Sequence, residues 1–385
     1  MRNTALTIDQ SALAHNLSTI KDTLNPKAPA KVMAMVKANA YGHGVSYALA
    51  GLKQADAFGV ACMSEALEVK KTCQTIGINK PIVLIEGAFG TDEWLTAINQ
   101  GFGAVLHNKY QLDDALEHTP DPDSFTNTIW LKYNTGMNRL GFNRQDTIAA
   151  AKLLHDKGYK LILTSHFACA DEDDSPITAR QISRFNDLLD ELRDTVSPDI
   201  LGSLCNSAGI FKHADQHHDW VRAGIALYGS SPFSHIDART LNLKPAMIFS
   251  THIMAVQYVE TDESVSYGAL WRAPKPSRIG IVSCGYGDGY PRVVQQAFVG
   301  VMVNDIIIHA PIVGRVAMDI MMVDLTDTNA DVGAKIILWG QDGAPSIDEI
   351  ATCAGTIGYE LMCRTTARPI RQVLTESLVD NPLSE

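Results

Sequence analysis

The sequence predicts an α/β protein: an N-terminal (β/α)8 barrel of the TIM type, followed by a mainly-β domain. Three observations carry that expectation. Between Val32 and Ile225, eight short apolar runs alternate with amphipathic stretches. Beyond about residue 242 helical spacing gives way to apolar runs separated by turns. The chain has 385 residues, more than the roughly 250–300 at which a single core stops growing.

The eight runs are Val32–Val36, Phe58–Met63, Ile82–Ile85, Ala104–Leu106, Thr128–Leu131, Leu161–Thr164, Ile200–Leu204 and Trp220–Ile225. Each is short and bounded by polar residues or glycine, which suits a parallel strand buried on both faces. The stretch Ser11–Leu24 places Leu13, Leu17, Ile20 and Leu24 on one helical face behind Ser11 as candidate N-cap. Asp92–Asn99, Lys109–Leu116, Asp146–Leu154 and Thr178–Leu192 have the same spacing. Such alternation implies parallel strands joined by right-handed crossovers, and eight of them make a closed barrel. An open doubly wound sheet shares the alternation, but no glycine-rich dinucleotide fingerprint follows the first strand.

The second part holds Met247–Val259, Ile279–Ser283, Ile306–Ile308, Met321–Leu325 and Lys335–Leu338, with a dense turn at Gly285–Pro291. One helix, Ser346–Ala354, interrupts it, with Ser346 and Glu349 at capping-box spacing. The expected domains are therefore 1–242 and 243–385.

The net charge of −11 and the lack of a Lys/Arg run argue against a nucleic-acid partner. No segment approaches the roughly 20 apolar residues that span a bilayer. Asp9, Gln10, His15 and Asn16 break up the N-terminal stretch, so no secretory signal is expected and the cytoplasm is the expected location. Seven cysteines without a Cys-x-x-Cys pair offer neither a disulfide framework nor a metal site.

Barrel enzymes place their chemistry at the C-terminal ends of the strands. Lys37 ends the first run and is either a lysine reaching out to solvent or a partly desolvated amine suited to imine formation with a carbonyl cofactor. The eighth run carries Arg222, pointing to the mouth, then Gly224 and Ile225, whose amides can approach an anion. Asn206 and Ser207 end the seventh run and add polar donors. Phosphate sites of barrels form at these two strands. His166 follows the sixth run and is either a satisfied core histidine or a catalytic one. Arg139 follows Lys132 and a glycine turn after the fifth run; its fork suits a carboxylate, and a surface arginine is the alternative.

Together these segments closely resemble the alanine racemase family. The matching motifs are Val36–Gly44, Thr135–Gly141, Ser165–Asp171, Asn206–Ala208, Arg222–Gly229, Val265–Gly268, Cys284–Pro291 and Gly314–Asp319, running on to Tyr359-Glu360 and Arg368. They appear in the family's order over essentially the whole chain. The resemblance implies pyridoxal 5'-phosphate as cofactor, held by Lys37 as an imine. It implies Tyr41, Asn206, Ser207, Gly224, Ile225 and Tyr359 around the phosphate, and Arg222 at the pyridine nitrogen. It implies a homodimer in which Tyr267, the second catalytic residue beside Lys37, reaches the other subunit's site. Arg139 and the Met318 backbone would bind the substrate carboxylate. Lys132 matches a lysine that is carbamylated in some relatives, Tyr286 and Tyr359 would form an inner gate, and Asp319 belongs to the same orienting group. The sequence departs from many relatives at Asn134, where they have Asp, and at Ala317, where Cys or Ser is frequent.

The implied reaction is interconversion of L- and D-alanine by two bases, supplying D-alanine for peptidoglycan, with His166 and Arg222 supporting Tyr267 in a network. The rivals are a serine or broad-specificity racemase, a decarboxylase of basic amino acids with the same fold, and a non-catalytic cofactor carrier. Arg222 argues against the decarboxylase, which sets a carboxylate at the pyridine nitrogen; Tyr267 and the domain that bears it argue against both the decarboxylase and the carrier.

Overall fold

The computed structural model describes residues 3–27 and 29–374. The first strand, β1 (Ala5–Ile8), leads into the helix Gln10–Asp22. That helix starts earlier than Ser11: the Asp9 carboxylate caps it, accepting from the Ser11 and Ala12 amides at 2.8 and 2.9 Å. Its inward face is the expected one, since Leu13, Leu17, Ile20 and Leu24 are all buried.

The barrel strands follow as β2 (Lys31–Met35), β3 (Ala57–Val60), β4 (Ile82–Leu84), β5 (Gly103–Leu106), β6 (Thr128–Lys132), β7 (Lys160–Thr164), β8 (Leu201–Ser203) and β9 (Trp220–Ala223). Consecutive strands from β2 to β8 pair in parallel, and β2 also pairs with β9. The seam between β8 and β9 is closed by the Asp219 amide on Gly202 O (3.1 Å), the Arg222 amide on Cys205 O (2.9 Å) and Ser203 Oγ on Trp220 O (3.0 Å). Strand interiors such as Val32–Ala34 and Phe58–Val60 are buried on both faces. Each fully buried Val, Leu or Ile contributes about 1.5–3 kcal/mol.

Helices Met63–Thr75, Thr91–Gln100, Lys109–Glu117, Arg144–Asp156 and Pro176–Thr195 return the chain to the next strand. The first of these was not singled out in the sequence. Its apolar face is broken into Met63, Ala66, Val69 and Cys73, among Lys and Glu.

The second domain contains β10 (Met247–Val259), the short pair β11 (Ser264–Val265) and β12 (Trp271–Arg272), then β13 (Ser277–Val282), β14 (Phe298–Val303), β15 (Ile306–Val313), β16 (Met321–Asp324), β17 (Lys335–Trp339) and β18 (Ile370–Val373). The order β13-β16-β15-β14-β17-β10 closes on itself, because the second half of β10 pairs with β13. The helix Ile347–Ala354 has the expected capping box: Ser346 Oγ accepts from the Glu349 amide at 3.1 Å, and the Glu349 carboxylate accepts from the Ser346 amide at 2.7 Å.

The division at residue 242 is crossed at the N-terminal end. β1 belongs to the second sheet, antiparallel to β10 and parallel to β18. Its four residues are too few for a pattern that assigns them to one layer. Residues 375–385 of the expected second domain lie outside the described residues.

Candidate active site

At the C-terminal ends of the barrel strands a cavity of about 540 Å³ opens. Its walls bring together Lys37, Tyr41, Lys132, Arg139, His166, Asn206, Ser207, Arg222, Gly224, Ile225 and Tyr359. Each of these was expected to belong to the site, and strands or the loops directly after them carry most of them.

The chain after β2 does not enter an ordinary helix. Ala38, Asn39, Ala40 and Tyr41 have φ of 51, 55, 53 and 50°, a single left-handed turn. For residues with a Cβ this costs roughly 1–2 kcal/mol each, so the turn is held by its surroundings. Glu65, on the helix Met63–Thr75, accepts from the Ala38 amide at 2.7 Å and from the Ala61 amide at 2.8 Å. The turn sets Lys37 at the cavity and delivers Tyr41, whose ring stacks on Tyr228 at 4.7 Å.

At the other side, Ser207 Oγ accepts from the Gly224 amide at 2.9 Å and more weakly from the Ala226 amide at 3.5 Å. A Cβ on Gly224 would lie 2.7 Å from the Tyr41 hydroxyl oxygen. This small cradle of hydroxyls and amides is open only because residue 224 is glycine. Asn206 acts differently from a plain donor: its side-chain oxygen caps the helix Ser207–Lys212, accepting from the Gly209 amide at 3.0 Å.

Arg222 is anchored by its guanidinium. One terminal nitrogen donates to Ser203 Oγ (2.6 Å), Ser203 O (2.9 Å) and Thr164 Oγ1 (3.1 Å). The other donates to Ser165 O, to Leu204 O (3.1 Å) and, at 3.5 Å, to His166 Nδ1. Burial lowers the Arg222 guanidinium to about 10, which still leaves it charged at neutral pH. Burial, then the charge of Arg222, pushes His166 well below the usual histidine range, so the ring is neutral. With Nδ1 accepting, its proton sits on Nε2.

Lys132 is lowered to about 8, first by burial and then by the Arg222 and Arg139 charges. Asn134 fills the place where an aspartate was considered usual. Its side-chain oxygen accepts from the Gly136 and Asn138 amides at 3.1 and 3.0 Å, fixing the loop before Arg139. Either Asn or Asp supplies that acceptor.

Four expected residues are not at this cavity. Tyr267, Tyr286, Met318 and Asp319 lie on the second domain, in three adjoining segments. The Tyr286 amide donates to Ala317 O at 3.0 Å and the Gly287 amide to Met318 O at 2.8 Å. Ser266 Oγ donates to Arg315 O at 2.9 Å, and Asp319 pairs with Arg368 at 2.7 Å. Tyr267 stands at the tip between β11 and β12 and is 73% exposed. Within one chain, the expected Tyr267–His166–Arg222 network is therefore limited to its His166–Arg222 part.

The sequence did not single out Glu65, Trp130 or Cys363, which also line the cavity. Glu65 sits in the unrecognised helix, and Trp130 has the look of any apolar strand residue. Cys363 belongs to the short helix Gly358–Cys363; its pattern gave no signal. Among the described residues no group of His, Cys, Asp and Glu is arranged to hold a metal ion, and no helix is long and apolar enough to cross a membrane.

Residues 8–232 match the family model for the alanine racemase N-terminal domain, and residues 246–373 match that for the C-terminal domain. An alanine racemase of Psychrobacter sp. (strain PRwf-1) is 48% identical over 380 residues, covering 97% of this chain and 100% of that protein. The biosynthetic alanine racemase of Pseudomonas aeruginosa is 41% identical over 376 residues, covering 97% and 99%. Among solved structures, the alanine racemase of Acinetobacter baumannii superimposes with a TM-score of 0.89 at 41% identity, covering 97% of this chain and 100% of that one. The chain belongs to the alanine racemase family.

Proposed function

We propose that this protein interconverts L-alanine and D-alanine, using pyridoxal 5'-phosphate in the barrel cavity and two proton-moving groups on opposite faces of the substrate. The observation that carries this reading is the meeting of Lys37, Arg222, His166 and the Ser207–Gly224 cradle in one cavity of a chain from this family.

The residues fit the cofactor. Lys37 would supply the amine for its carbonyl carbon. Ser207, Tyr41, Tyr359 and the Ile225 amide would supply donors for a phosphate beside Gly224, whose own amide donates to Ser207 Oγ and where a Cβ would close the space. Arg222 would face its ring nitrogen. Bound pyridoxal phosphate supplies the electron sink that lets an α-hydrogen leave as a proton.

The chain's own residues then divide the work. A single base would have to cross the substrate plane to invert it, whereas two bases on opposite faces need no such motion. Lys37 takes or returns the proton on the face used by D-alanine. Tyr267 of the partner subunit serves the face used by L-alanine. Neutral His166 keeps Nδ1 on Arg222 and has Nε2–H left to orient that tyrosine. Arg139 and the Met318 backbone receive the carboxylate. The exposed Tyr267 tip and the open barrel mouth support a homodimer in which each site is shared. Supply of D-alanine to the cell wall, in the cytoplasm, is the physiological role that follows.

The test is proton NMR of L-alanine with the cofactor-loaded protein in deuterium oxide, followed by chiral analysis. Loss of the α-proton signal together with D-alanine is the expected result. Neither exchange nor inversion would reject the reading, and the same assay with serine, lysine and arginine separates a different racemase from a decarboxylase.

A further inference from the structure

The left-handed turn after Lys37 is unusual even within this chain. Among the described residues no other run of non-glycine residues with positive φ exceeds two. Only one of its four members, Asn39, is of a type that visits this region readily. The handedness matters because the turn separates Lys37 from Tyr41. A right-handed turn would leave Lys37 in place and carry the Tyr41 hydroxyl away from Gly224.

His43 lies directly behind the turn and is completely buried. Its Nδ1 is 3.1 Å from Ala40 O and 3.0 Å from Tyr41 O. Both are carbonyl oxygens, so Nδ1 must carry the ring proton and donate to them. The ring is kept in place by Tyr228, whose ring centre is 4.6 Å away and whose hydroxyl donates to Met35 O at 2.8 Å. The far end of the turn is tied to the other domain. Gly42 O accepts from Arg371 Nε at 3.2 Å and from Thr365 Oγ1 at 3.4 Å. A Cβ on Gly42 would lie 2.0 Å from Met362 O, so the C-terminal segment is packed directly on the turn.

We propose that His43 is a positioning residue for the cofactor: through its Nδ1–H it holds the carbonyls of Ala40 and Tyr41, and so fixes the left-handed turn that sets Lys37 and the Tyr41 hydroxyl at their separation. This rests on the reading of the cavity as a pyridoxal-phosphate site. The ring touches neither cofactor nor substrate; it acts through the turn. Arg371 and Thr365 hold the same turn from the side of the second domain, Glu65 holds its first amide at Ala38, and the Asn39 side chain accepts from the Val45 amide at 2.8 Å; His43 is the side chain that holds the Ala40 and Tyr41 carbonyls.

The test compares His43→Asn with His43→Gln. The Asn amide can place an N–H where Nδ1 stands, whereas the longer Gln amide reaches towards the Nε2 position. Each variant is stripped of cofactor and titrated with pyridoxal phosphate by absorbance, and melting is followed on the stripped protein. His43→Asn should bind within about threefold of the wild type and His43→Gln about tenfold or more weakly, with the two stripped variants melting alike. Equal affinities, or an affinity loss that simply follows melting temperature, would overturn the proposal. Nitrogen-15 NMR of the wild type decides the matter should both variants fail to fold: the Nδ1–H tautomer supports it and the Nε2–H tautomer overturns it. A wild type that binds no pyridoxal phosphate would refute the cofactor reading instead, and the tautomer, measured without ligand, would still report on the turn.

Discussion

On the proposed reading, Arg222 is the side chain that would select among the reactions pyridoxal phosphate permits. Its guanidinium is fixed by Ser203, Thr164 and Leu204 and remains charged, so a pyridine nitrogen facing it receives no readily transferred proton. A ring held this way would be a moderate electron sink, so Arg222 would favour return of the proton at the substrate's α-carbon. Arg222→Glu should increase transamination at the expense of racemisation; an unchanged yield of pyridoxamine phosphate per turnover would contradict this. Lys37→Ala would remove both the proposed anchor of the cofactor and one proposed proton carrier, and should lower kcat by at least about 10²–10⁴-fold, read by the same chiral assay.

Lys132 makes a pH prediction with a definite sign. In the unfolded chain it has the ordinary value of 10.5, and in the fold it is lowered to about 8 by burial and the neighbouring arginines. Between those values the unfolded state binds more protons, so this lysine's contribution to stability improves as pH rises from about 8 to 10.5 and is least favourable below. Relative to Lys132→Gln, the wild type should therefore gain melting temperature between pH 7.5 and 10. Parallel melting curves over that range would show that the depression is absent.

At the scale of elements, the site is an arrangement of strand ends. β2 delivers Lys37, β6 Lys132, β7 His166, and β9 Arg222 and Gly224, each within a few residues of the last ladder pair. This is why so much of the cavity was legible: an apolar run marks a buried parallel strand, and the first polar residues after it must lie at the barrel mouth. The signal fails where a residue reaches the site by another route. Glu65 comes from a helix whose apolar stripe is too broken to stand out, and Trp130 points inward from the middle of β6, where a strand buried on both faces hides which residues face the cavity. β1 was placed with the barrel because four residues cannot reveal which of two sheets they complete. The left-handed turn was equally hidden, since Ala-Asn-Ala-Tyr carries no glycine to announce it. Gly224 is the element-level constraint that did show. Gly224→Ala brings a methyl to 2.7 Å from the Tyr41 hydroxyl, which must shift, so pyridoxal-phosphate affinity should fall by at least about tenfold while melting of the cofactor-free protein changes little. Undiminished affinity in the titration would mean that the phosphate is held elsewhere.

Over the whole molecule, the residues expected to act together fall into two groups on different domains. The barrel mouth gathers Lys37, His166, Arg139 and Arg222, while Tyr267, Met318 and Tyr286 sit on an exposed part of the second domain. The motifs disclosed both groups, but a single sequence carries no direct mark of which subunit each will serve. The proposed two-fold dimer would let each surface patch meet the other chain's cavity, with two equivalent sites. That arrangement predicts complementation. Lys37→Ala and Tyr267→Phe, each inactive alone, are unfolded together or co-expressed at equal amounts so that hybrid dimers form. In a hybrid, one site combines both lesions and the other combines neither. Random pairing makes half the dimers hybrids, with one of two sites intact, so activity should return to about a quarter of the wild type. If Lys37 and Tyr267 served the same chain's site, every site in every dimer would carry one lesion and mixing would restore nothing.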